Sequence, residues 1–431
     1  MWWLFVKKLI NILIYVILLG TIGFVILYFY ETYKSKKITG KIIYCQSNYL
    51  EIMTDNNAIY QLNYDKKCFL GDYVAIYYSG KLDDTQKLQN VKIKQIKKES
   101  APILDTKIKN WLDKMSIEEK IGQLLLARIP NTNKIEDLQK YHFGGYILFR
   151  RDIEYKTKQD LKDEISNYQE KSNIPLFIAT DEEGGVVSRL NCNDDIVKEK
   201  FLSPRELYKK GGFEFIEKDA IRKRNLLSEL GINVNLAPVA DMSHDENSFI
   251  YQRTFGNNSD ETAEYIKTIL KTQNNEVSYV LKHFPGYGDN LDTHTGSAFD
   301  NRSFNDFLTN DFKPFILGIN HNARFIMMSH NIVTHIDNMP TSLSRNWHNI
   351  LRNQLQFKGI IVTDDLSMQA SLASSSSPYI TALKAGNNLL IVSDYQDAFE
   401  EIKQGIQKQI ITEELIDSLI IPTLYLKSEI L

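Results

Sequence analysis

Eight short apolar runs recur after residue 120 of this chain, and stretches with helical periodicity separate them. Most of the runs are continuously apolar rather than alternating, which is typical of parallel strands buried on both faces. In chain order the runs are Gln123–Ala127, Gly145–Leu148, Leu176–Ala179, Asn233–Leu236, Tyr279–Lys282, Phe325–Met328, Ile360–Thr363 and Leu389–Val392. Eight strands that alternate with helices predict a (β/α)₈ barrel of the TIM type over residues 101–431.

Polar side chains stand directly after most of these runs. Asp181 follows the third run, Asp241 the fourth and Asp364 the seventh, while Lys282 and His283 end the fifth. The other members are Ser329 and His330 after the sixth run, and Ser393 and Asp394 after the eighth. Because barrel enzymes build their sites at the carboxyl ends of the strands, the set predicts a site there. For single members such as His330 or Asp394, a structural role stays open.

The segment Lys282–His294 places Asp292 and His294 two residues apart on a loop rich in Gly and Asn. This spacing lets a carboxylate hydrogen-bond an imidazole and set its tautomer and pKa, which a general acid/base needs. A second carboxylate, Asp364, ends an apolar run in the motif Thr363–Met368. Together the two motifs predict hydrolysis with a nucleophilic Asp.

The N-terminus predicts membrane attachment. From Leu9 to Tyr30, 22 residues carry no charge. At about 1.5 Å per residue, a helix of this length spans the roughly 30 Å hydrocarbon core of a bilayer. Trp2, Trp3 and Tyr28 lie near its ends, as interfacial aromatic residues do. We therefore expect a single-pass transmembrane helix within an anchor of residues 1–37. A buried soluble helix and a cleaved signal peptide are the alternatives.

The orientation of this span rests on two opposed arguments. Lys34, Lys36 and Lys37 follow the span, whereas Lys7 and Lys8 precede it. The excess favours a cytoplasmic C-terminal side. The substrate considered below favours instead a catalytic domain outside the membrane.

Residues 38–100 predict a small β-rich domain with turn residues between its strands. The expected strands are Gly40–Tyr44, Leu50–Met53, Ala58–Leu62 and Tyr73–Tyr78. Cys45 and Cys68 fall in this region, and we interpret them as two unrelated thiols, with a disulfide as the alternative. The chain as a whole is 43% hydrophobic and 24% charged, with a net charge of −3. This composition predicts a packed core and gives no sign of a nucleic-acid partner.

Several segments of the barrel region carry the pattern of a known enzyme family. They are Gly144–Phe149, Asp181–Gly185 with Arg189, Leu230–Asn233 with Ala237–Asp241, Arg253–Gly256, Pro340–Ser344 and Thr363–Met368. Between Ile117 and about Asp394, these segments resemble glycoside hydrolase family 3. The pair Asp292-x-His294 resembles the mark of its β-N-acetylglucosaminidase (β-hexosaminidase) branch.

The resemblance implies a role for each matching residue. Asp364 is the expected nucleophile, Asp365 a neighbour with a structural role, and His294 the acid/base that Asp292 orients. Sugar hydroxyls are expected to bind to Asp181, Arg189, Arg253, Lys282 and His283, although a structural ion pair stays open for Arg189. No metal or other cofactor is implied. Three positions depart from the family pattern: Val186 replaces a commonly basic residue, Tyr287 a frequent His, and Asn388 a usual Asp.

The implied activity is that of a membrane-anchored, retaining exo-β-N-acetylglucosaminidase. It would remove terminal β-linked N-acetylglucosamine from peptidoglycan or its fragments through a covalent glycosyl-Asp intermediate. Two alternatives keep the enzyme: a β-N-acetylglucosaminide phosphorylase, because a neutral imidazole repels phosphate less than a carboxylate does, or another β-glycosidase. A third, from another class, is a cell-wall-binding barrel without catalysis.

Overall fold

The computed structural model of the protein describes residues 35–46, 49–63, 69–79, 92–100, 104–293 and 296–430. They fall into two compact units, a small N-terminal sheet and a larger α/β unit. The position of the unit boundary predicted at residue 100 stays a prediction, since residues 101–103 lie outside the described ranges.

The N-terminal unit is a five-stranded sheet in the order β3-β2-β1-β4-β5. Its strands are β1 (Lys36–Gln46), β2 (Tyr49–Met53), β3 (Ile59–Asn63), β4 (Tyr73–Ser79) and β5 (Lys92–Lys98). β1 pairs antiparallel with β2 and β4, and β4 with β5. The four predicted strands are confirmed. β5 was not predicted, because four of its seven residues are lysine. Cys45 is disulfide-bonded, so its interpretation as an unrelated thiol is wrong.

Eight parallel strands form the sheet of the α/β unit, in chain order around the sheet. They are β6 (Leu125–Arg128), β7 (Gly145–Leu148), β8 (Phe177–Thr180), β11 (Val234–Asn235), β12 (Ser278–Phe284), β14 (Phe325–Met328), β16 (Ile360–Thr363) and β17 (Leu390–Val392). The last strand pairs with β6, and a parallel bridge between Val362 and Leu389 joins the remaining gap. This arrangement fits a TIM-type barrel, and each of the eight predicted runs overlaps one of its strands.

Four short strands lie outside the barrel sheet: β9 (Glu182–Gly184), β10 (Val187–Ser188), β13 (Phe299–Asp300) and β15 (Ile332–Val333). The α-helices are Thr106–Lys114, Ile117–Gln123, Lys134–Tyr141, Arg150–Ile153, Lys158–Glu170, Pro204–Leu230, Ser259–Leu270, Phe304–Asp306, Phe312–Asn320, Arg345–Asn349, Gln369–Leu372, Pro378–Ala385, Tyr395–Gln407 and Glu413–Ile430. Gly211 and Gly212 break Pro204–Leu230, since their backbone angles are not helical. Gln123, predicted to begin the first strand, instead ends the helix before it.

Alternate residues of the same strand pack on opposite sides of the barrel wall. On β14, Phe325 and Met327 belong to a cluster that draws residues from all eight strands and fills the barrel. Ile326 and Met328 belong to a second cluster, which packs against helices through residues such as Phe315. Burial on both faces explains why the strands read as continuous apolar runs.

The predicted transmembrane helix is the part of the expected fold that needs correction. Within the described ranges, no helix is long and apolar enough to cross a membrane. The helix Glu413–Ile430, for example, contains the charged residues Glu413, Asp417 and Lys427. The run Leu9–Tyr30, on which the prediction rested, lies outside the described residues. Over the residues that the structure describes, the fold is therefore a small β sheet followed by a barrel, without a membrane helix.

Candidate active site

A cavity of about 360 Å³ opens at the carboxyl ends of the barrel strands. Its lining residues are Arg128, Ile147, Phe149, Asp181, Val187, Arg189, Leu236, Arg253, Lys282, His283, Met327, Asp364, Asp365, Met368, Ile391 and Ser393. The five residues predicted to bind sugar and the predicted nucleophile are all among them. The structure thus brings six of the eight predicted site residues together.

Five charged side chains of this region form an ionic cluster: Asp181, Glu183, Arg189, Arg253 and Lys282. Lys282 Nζ lies 2.8 Å from Asp181 Oδ1 and 2.6 Å from Glu183 Oε1. Arg253 donates to Glu183 through Nε and Nη2, at 3.0 and 2.8 Å, and Arg189 Nη2 lies 3.0 Å from Asp181 Oδ2. Each buried charge therefore has an opposite charge at hydrogen-bond distance, as burial requires.

The ion pairs of the cluster keep Asp181, Glu183 and Lys282 ionised. Burial raises the pKa of Asp181, but Lys282 and Arg189 outweigh it and hold this pKa below its ordinary value. The pKa of Glu183 is likewise lowered, because Arg253 and Lys282 outweigh burial. Burial lowers the pKa of Lys282, and the two carboxylates reverse this and raise it. The cavity wall thus holds fixed charges at neutral pH.

His283 is held by a second buried carboxylate. Its Nδ1 lies 2.6 Å from Asp241 Oδ2, and its Nε2 lies 3.4 Å from Arg253 Nη2. Because an Arg can only donate, Nε2 acts as the acceptor, and the Nδ1–H group donates a hydrogen bond to Asp241 Oδ2. Asp241 also accepts hydrogen bonds from the backbone N–H groups of His283 and Tyr287. The ring therefore has a fixed orientation and tautomer.

Asp364 lies one residue beyond β16, and its backbone N–H donates to Met328 O at 3.1 Å. Its carboxylate reaches the cavity, where Oδ1 accepts a hydrogen bond from Asp365 N at 2.8 Å. Asp365 is tied down by neighbouring hydroxyls, since its carboxylate accepts from Ser367 and Ser393. These bonds hold the Asp365 side chain, which also lines the cavity, and its structural role stays a prediction.

The predicted dyad is described only in part. Asp292 lies on the loop after β12 and does not line the cavity, whereas His294 lies outside the described residues. Burial raises the pKa of Tyr287, and the carboxylates of Asp292 and Asp364 add to the rise. Both carboxylates therefore lie close enough to Tyr287 to affect its ionisation.

The residues of the site that were not assigned from the sequence include Arg128, Phe149 and Glu183. Arg128 directly follows a predicted strand, so the signal that singled out Asp181 was also available for it. Its guanidinium stacks 4.5 Å from the centre of the Phe149 ring. Glu183 is two residues from Asp181, the strand spacing that brings two side chains to one face.

The roles of His330 and Asp394 were left open by the sequence, and neither residue lines the cavity. His330 is fully buried, with Nδ1 2.6 Å from Ser342 Oγ and Nε2 3.0 Å from the backbone carbonyl of Asp365. Asp394 is exposed at the start of a helix. Val186, one of the departures, is 64% exposed and does not line the cavity.

Comparison with known proteins assigns the family. The model of the glycosyl hydrolase family 3 N-terminal domain matches residues 116–421, which is more than half of the chain. The chain belongs to glycoside hydrolase family 3. The resemblance found in the sequence is confirmed, and the protein is a glycoside hydrolase of the β-hexosaminidase type.

Individual relatives agree with this assignment. A β-hexosaminidase of Nitrosomonas eutropha is 30% identical over 313 residues, which cover 67% of this chain and 85% of the relative. One of Methylobacillus flagellatus is 27% identical over 313 residues, or 68% of this chain and 87% of the relative. Among solved structures, a family 3 β-N-acetylglucosaminidase from Paenibacillus sp. has a TM-score of 0.67 and 26% identity. That match covers 73% of this chain and 62% of the Paenibacillus chain.

Proposed function

We propose that this family 3 hydrolase is a retaining exo-β-N-acetylglucosaminidase with Asp364 as its nucleophile. The observation that carries the proposal is the position of the Asp364 carboxylate in one cavity with the ionic cluster and His283. A carboxylate beside the bound sugar can attack the anomeric carbon and form a covalent glycosyl intermediate, which water then hydrolyses. The β-hexosaminidase relatives support N-acetylhexosamine as the sugar.

The ionic cluster would bind the sugar hydroxyls. Asp181 is an acceptor at neutral pH, because its pKa is lowered by Lys282 and Arg189 against the effect of burial. The ion pairs of Lys282 use two of its three N–H donors, and those of Arg253 use Nε and Nη2. Among the residues that the structure describes, no partner takes the third ammonium hydrogen or Nη1, so both can donate to a substrate. Charged donors and acceptors of this kind suit a buried polyhydroxy ligand.

The acid/base in this proposal is His294, oriented by Asp292. The imidazole would protonate the leaving oxygen in the first step and deprotonate water in the second. Asp292 would stabilise the imidazolium form, as the Asp of a Ser-His-Asp triad does. The influence of both Asp292 and Asp364 on the pKa of Tyr287 supports a loop close to the nucleophile.

Peptidoglycan or its fragments are the proposed source of the sugar, and this substrate favours action outside the cytoplasm. The disulfide of Cys45 supports the same location, because disulfides persist in oxidising compartments. A substrate that does not cross membranes tests it. Equal turnover by intact and lysed cells is expected, and turnover by lysed cells alone would contradict the proposed location.

The nucleophile is tested with Asp364→Ala and the exposed control Asp394→Ala. We expect Asp364→Ala to lose release of para-nitrophenol from its β-N-acetylglucosaminide, and the control to keep it. Azide should restore turnover of Asp364→Ala and give the α-glycosyl azide, because it attacks from the face that the carboxylate has left. Full activity of Asp364→Ala would overturn the assignment.

The acid/base is tested by the leaving group. His294→Ala should spare the para-nitrophenyl glycoside, whose leaving group needs little protonation, and impair a peptidoglycan disaccharide with terminal N-acetylglucosamine. Equal losses on both substrates would contradict the acid role. If the sugar 1-phosphate forms in phosphate buffer, the enzyme is a phosphorylase rather than a hydrolase.

A further inference from the structure

Tyr287 lies at the base of the loop that carries Asp292, and its hydroxyl contacts the backbone on both sides of that residue. The hydroxyl accepts a hydrogen bond from Thr293 N at 2.8 Å and donates to Leu291 O at 2.9 Å. It also lies 3.0 Å from Thr293 Oγ1. The Tyr287 side chain is 2% exposed, so these bonds form away from water, where they are stronger.

The base of the loop is fixed by other contacts. Tyr287 N donates to Asp241 Oδ1 at 2.7 Å, and Arg302 Nη2 donates to Gly286 O at 2.8 Å. Asn290 Nδ2 donates to Tyr287 O at 2.7 Å. None of these bonds uses the tyrosine hydroxyl. Removing the hydroxyl should therefore leave the base in place and release the segment around Asp292.

The chemistry of the hydroxyl explains the choice of residue. A phenol oxygen accepts one hydrogen bond and donates another at the same atom, whereas a neutral imidazole nitrogen either accepts or donates. A His at position 287 could therefore keep only one of the bonds to Leu291 and Thr293. Apolar packing at the tip is weak, since Leu291 is 76% exposed.

We propose that Tyr287 is a positioning residue, which holds Asp292 in place for the acid/base step. The inference rests on the proposed function of Asp292 and His294. Tyr287 itself contacts neither the substrate nor the reacting atoms in this proposal. It acts through the backbone of Leu291 and Thr293.

The test compares Tyr287→Phe, Tyr287→His and the control Tyr279→Phe. Tyr279 is a matched control, because it lies on β12, the strand that leads into this loop, and is 2% exposed. Its hydroxyl is 3.0 Å from Thr272 Oγ1 rather than from the loop. For the peptidoglycan disaccharide, we expect kcat of Tyr287→Phe to fall about tenfold, which corresponds to about 1.4 kcal/mol. The fall for the para-nitrophenyl glycoside should be less than about twofold, because that step needs little acid.

Two further readouts separate positioning from general damage. An imidazole that loses its carboxylate partner has a lower pKa, so the basic limb of the kcat/KM profile should move to lower pH in Tyr287→Phe. Tyr287→His, which keeps one bond, should fall between Tyr287→Phe and the wild type. Tyr279→Phe should change neither the leaving-group dependence nor the pH profile.

The outcomes distinguish this inference from the proposed function. If His294→Ala shows the leaving-group effect and Tyr287→Phe impairs both substrates equally, the positioning role is overturned and the proposed function stands. Unchanged kinetics of Tyr287→Phe also overturn it. If His294→Ala itself shows no leaving-group effect, the proposed acid/base fails first.

Discussion

Replacing Glu183 by Gln tests the ionic cluster by removing one charge with little change of shape. Glu183 accepts hydrogen bonds from Lys282 at 2.6 Å and from Arg253 at 3.0 and 2.8 Å. Glutamine has only one acceptor oxygen, and its NH₂ group would face the donors of Lys282 or Arg253, with which it cannot form a hydrogen bond. Breaking a buried ion pair costs about 3–5 kcal/mol, and Asp181 remains as a partner of Lys282, so we expect a loss of about 3 kcal/mol in the free energy of unfolding.

The pH dependence of this loss follows from the direction of the pKa shift. Burial raises the pKa of Glu183, but Arg253 and Lys282 outweigh it and lower the pKa in the folded state. Such a carboxylate stabilises the fold above its unfolded pKa of about 4.3, and the stabilisation disappears as the pH falls through the folded pKa. The deficit of Glu183→Gln should be complete at about pH 6–8 and shrink below about pH 4.

Glu182 provides a matched control with the opposite sign. It is 1% exposed, and burial raises its pKa to about 7. Its carboxylate accepts from Leu190 N and Ser188 Oγ, and glutamine keeps both contacts, because its amide can donate to the Ser188 hydroxyl oxygen. A raised folded pKa weakens the fold as the pH rises toward it. Glu182→Gln should therefore stabilise the fold by about 3 kcal/mol at pH 8 and about 1 kcal/mol at pH 5.

Urea denaturation followed by tryptophan fluorescence measures both variants, since Trp111 and Trp347 lie in helices of the barrel unit. At pH 8 the two midpoints should move in opposite directions from that of the wild type. If both variants lower the midpoint equally, the charge of Glu183 is not what stabilises the cluster. The reasoning from pKa direction would then be wrong.

Two other side chains give independent predictions. Lys427 is buried, with Nζ 2.7 Å from Gln123 Oε1, and burial lowers its pKa to about 7. Between about pH 7 and pH 10 the unfolded side chain binds a proton that the folded one has lost, so wild-type stability should rise with pH over this range. Lys427→Met should be more stable than the wild type at pH 7, with the difference shrinking toward pH 10 in thermal melts; a difference independent of pH would contradict this. Arg128 stacks on Phe149 in the cavity and makes no ion pair among the described residues, so Arg128→Met should raise KM about tenfold by loss of a charged donor while leaving Tm unchanged. A lower Tm with an unchanged KM would show that Arg128 serves the fold instead.

Local patterns were sufficient to predict the barrel strands and the cavity residues that follow them. Continuous apolar runs identify doubly buried strands, and the carboxyl end of each strand has a known place in the fold. Asp181, Lys282 and Asp364 were found in this way, and all three line the cavity.

Contacts between distant residues could not be predicted from local patterns. Glu183 meets Arg253, 70 positions along the chain, only because the barrel brings β9 beside the 3₁₀ helix Tyr251–Arg253. Likewise, the ring of His330 is held by hydrogen bonds to Ser342 and to the backbone carbonyl of Asp365, which are distant in the sequence. The departure at Asn388 is explained by such contacts as well. Its side-chain oxygen accepts from Arg352 Nη2, and its amide donates to Leu419 O, which the usual Asp could not do.

The closure of the barrel has a consequence for synthesis of the protein. β17 is the last barrel strand to be translated. It pairs with the first strand, β6, and a bridge beside it reaches β16, the strand that precedes Asp364. Ser393, one residue beyond β17, then donates a hydrogen bond to Asp365, the neighbour of the proposed nucleophile. Domains fold as units when their chain is complete. A ribosome-bound chain that has not yet released residues 390–393 thus lacks one wall of the cavity, and the proposed active site is complete only after these residues have left the ribosome.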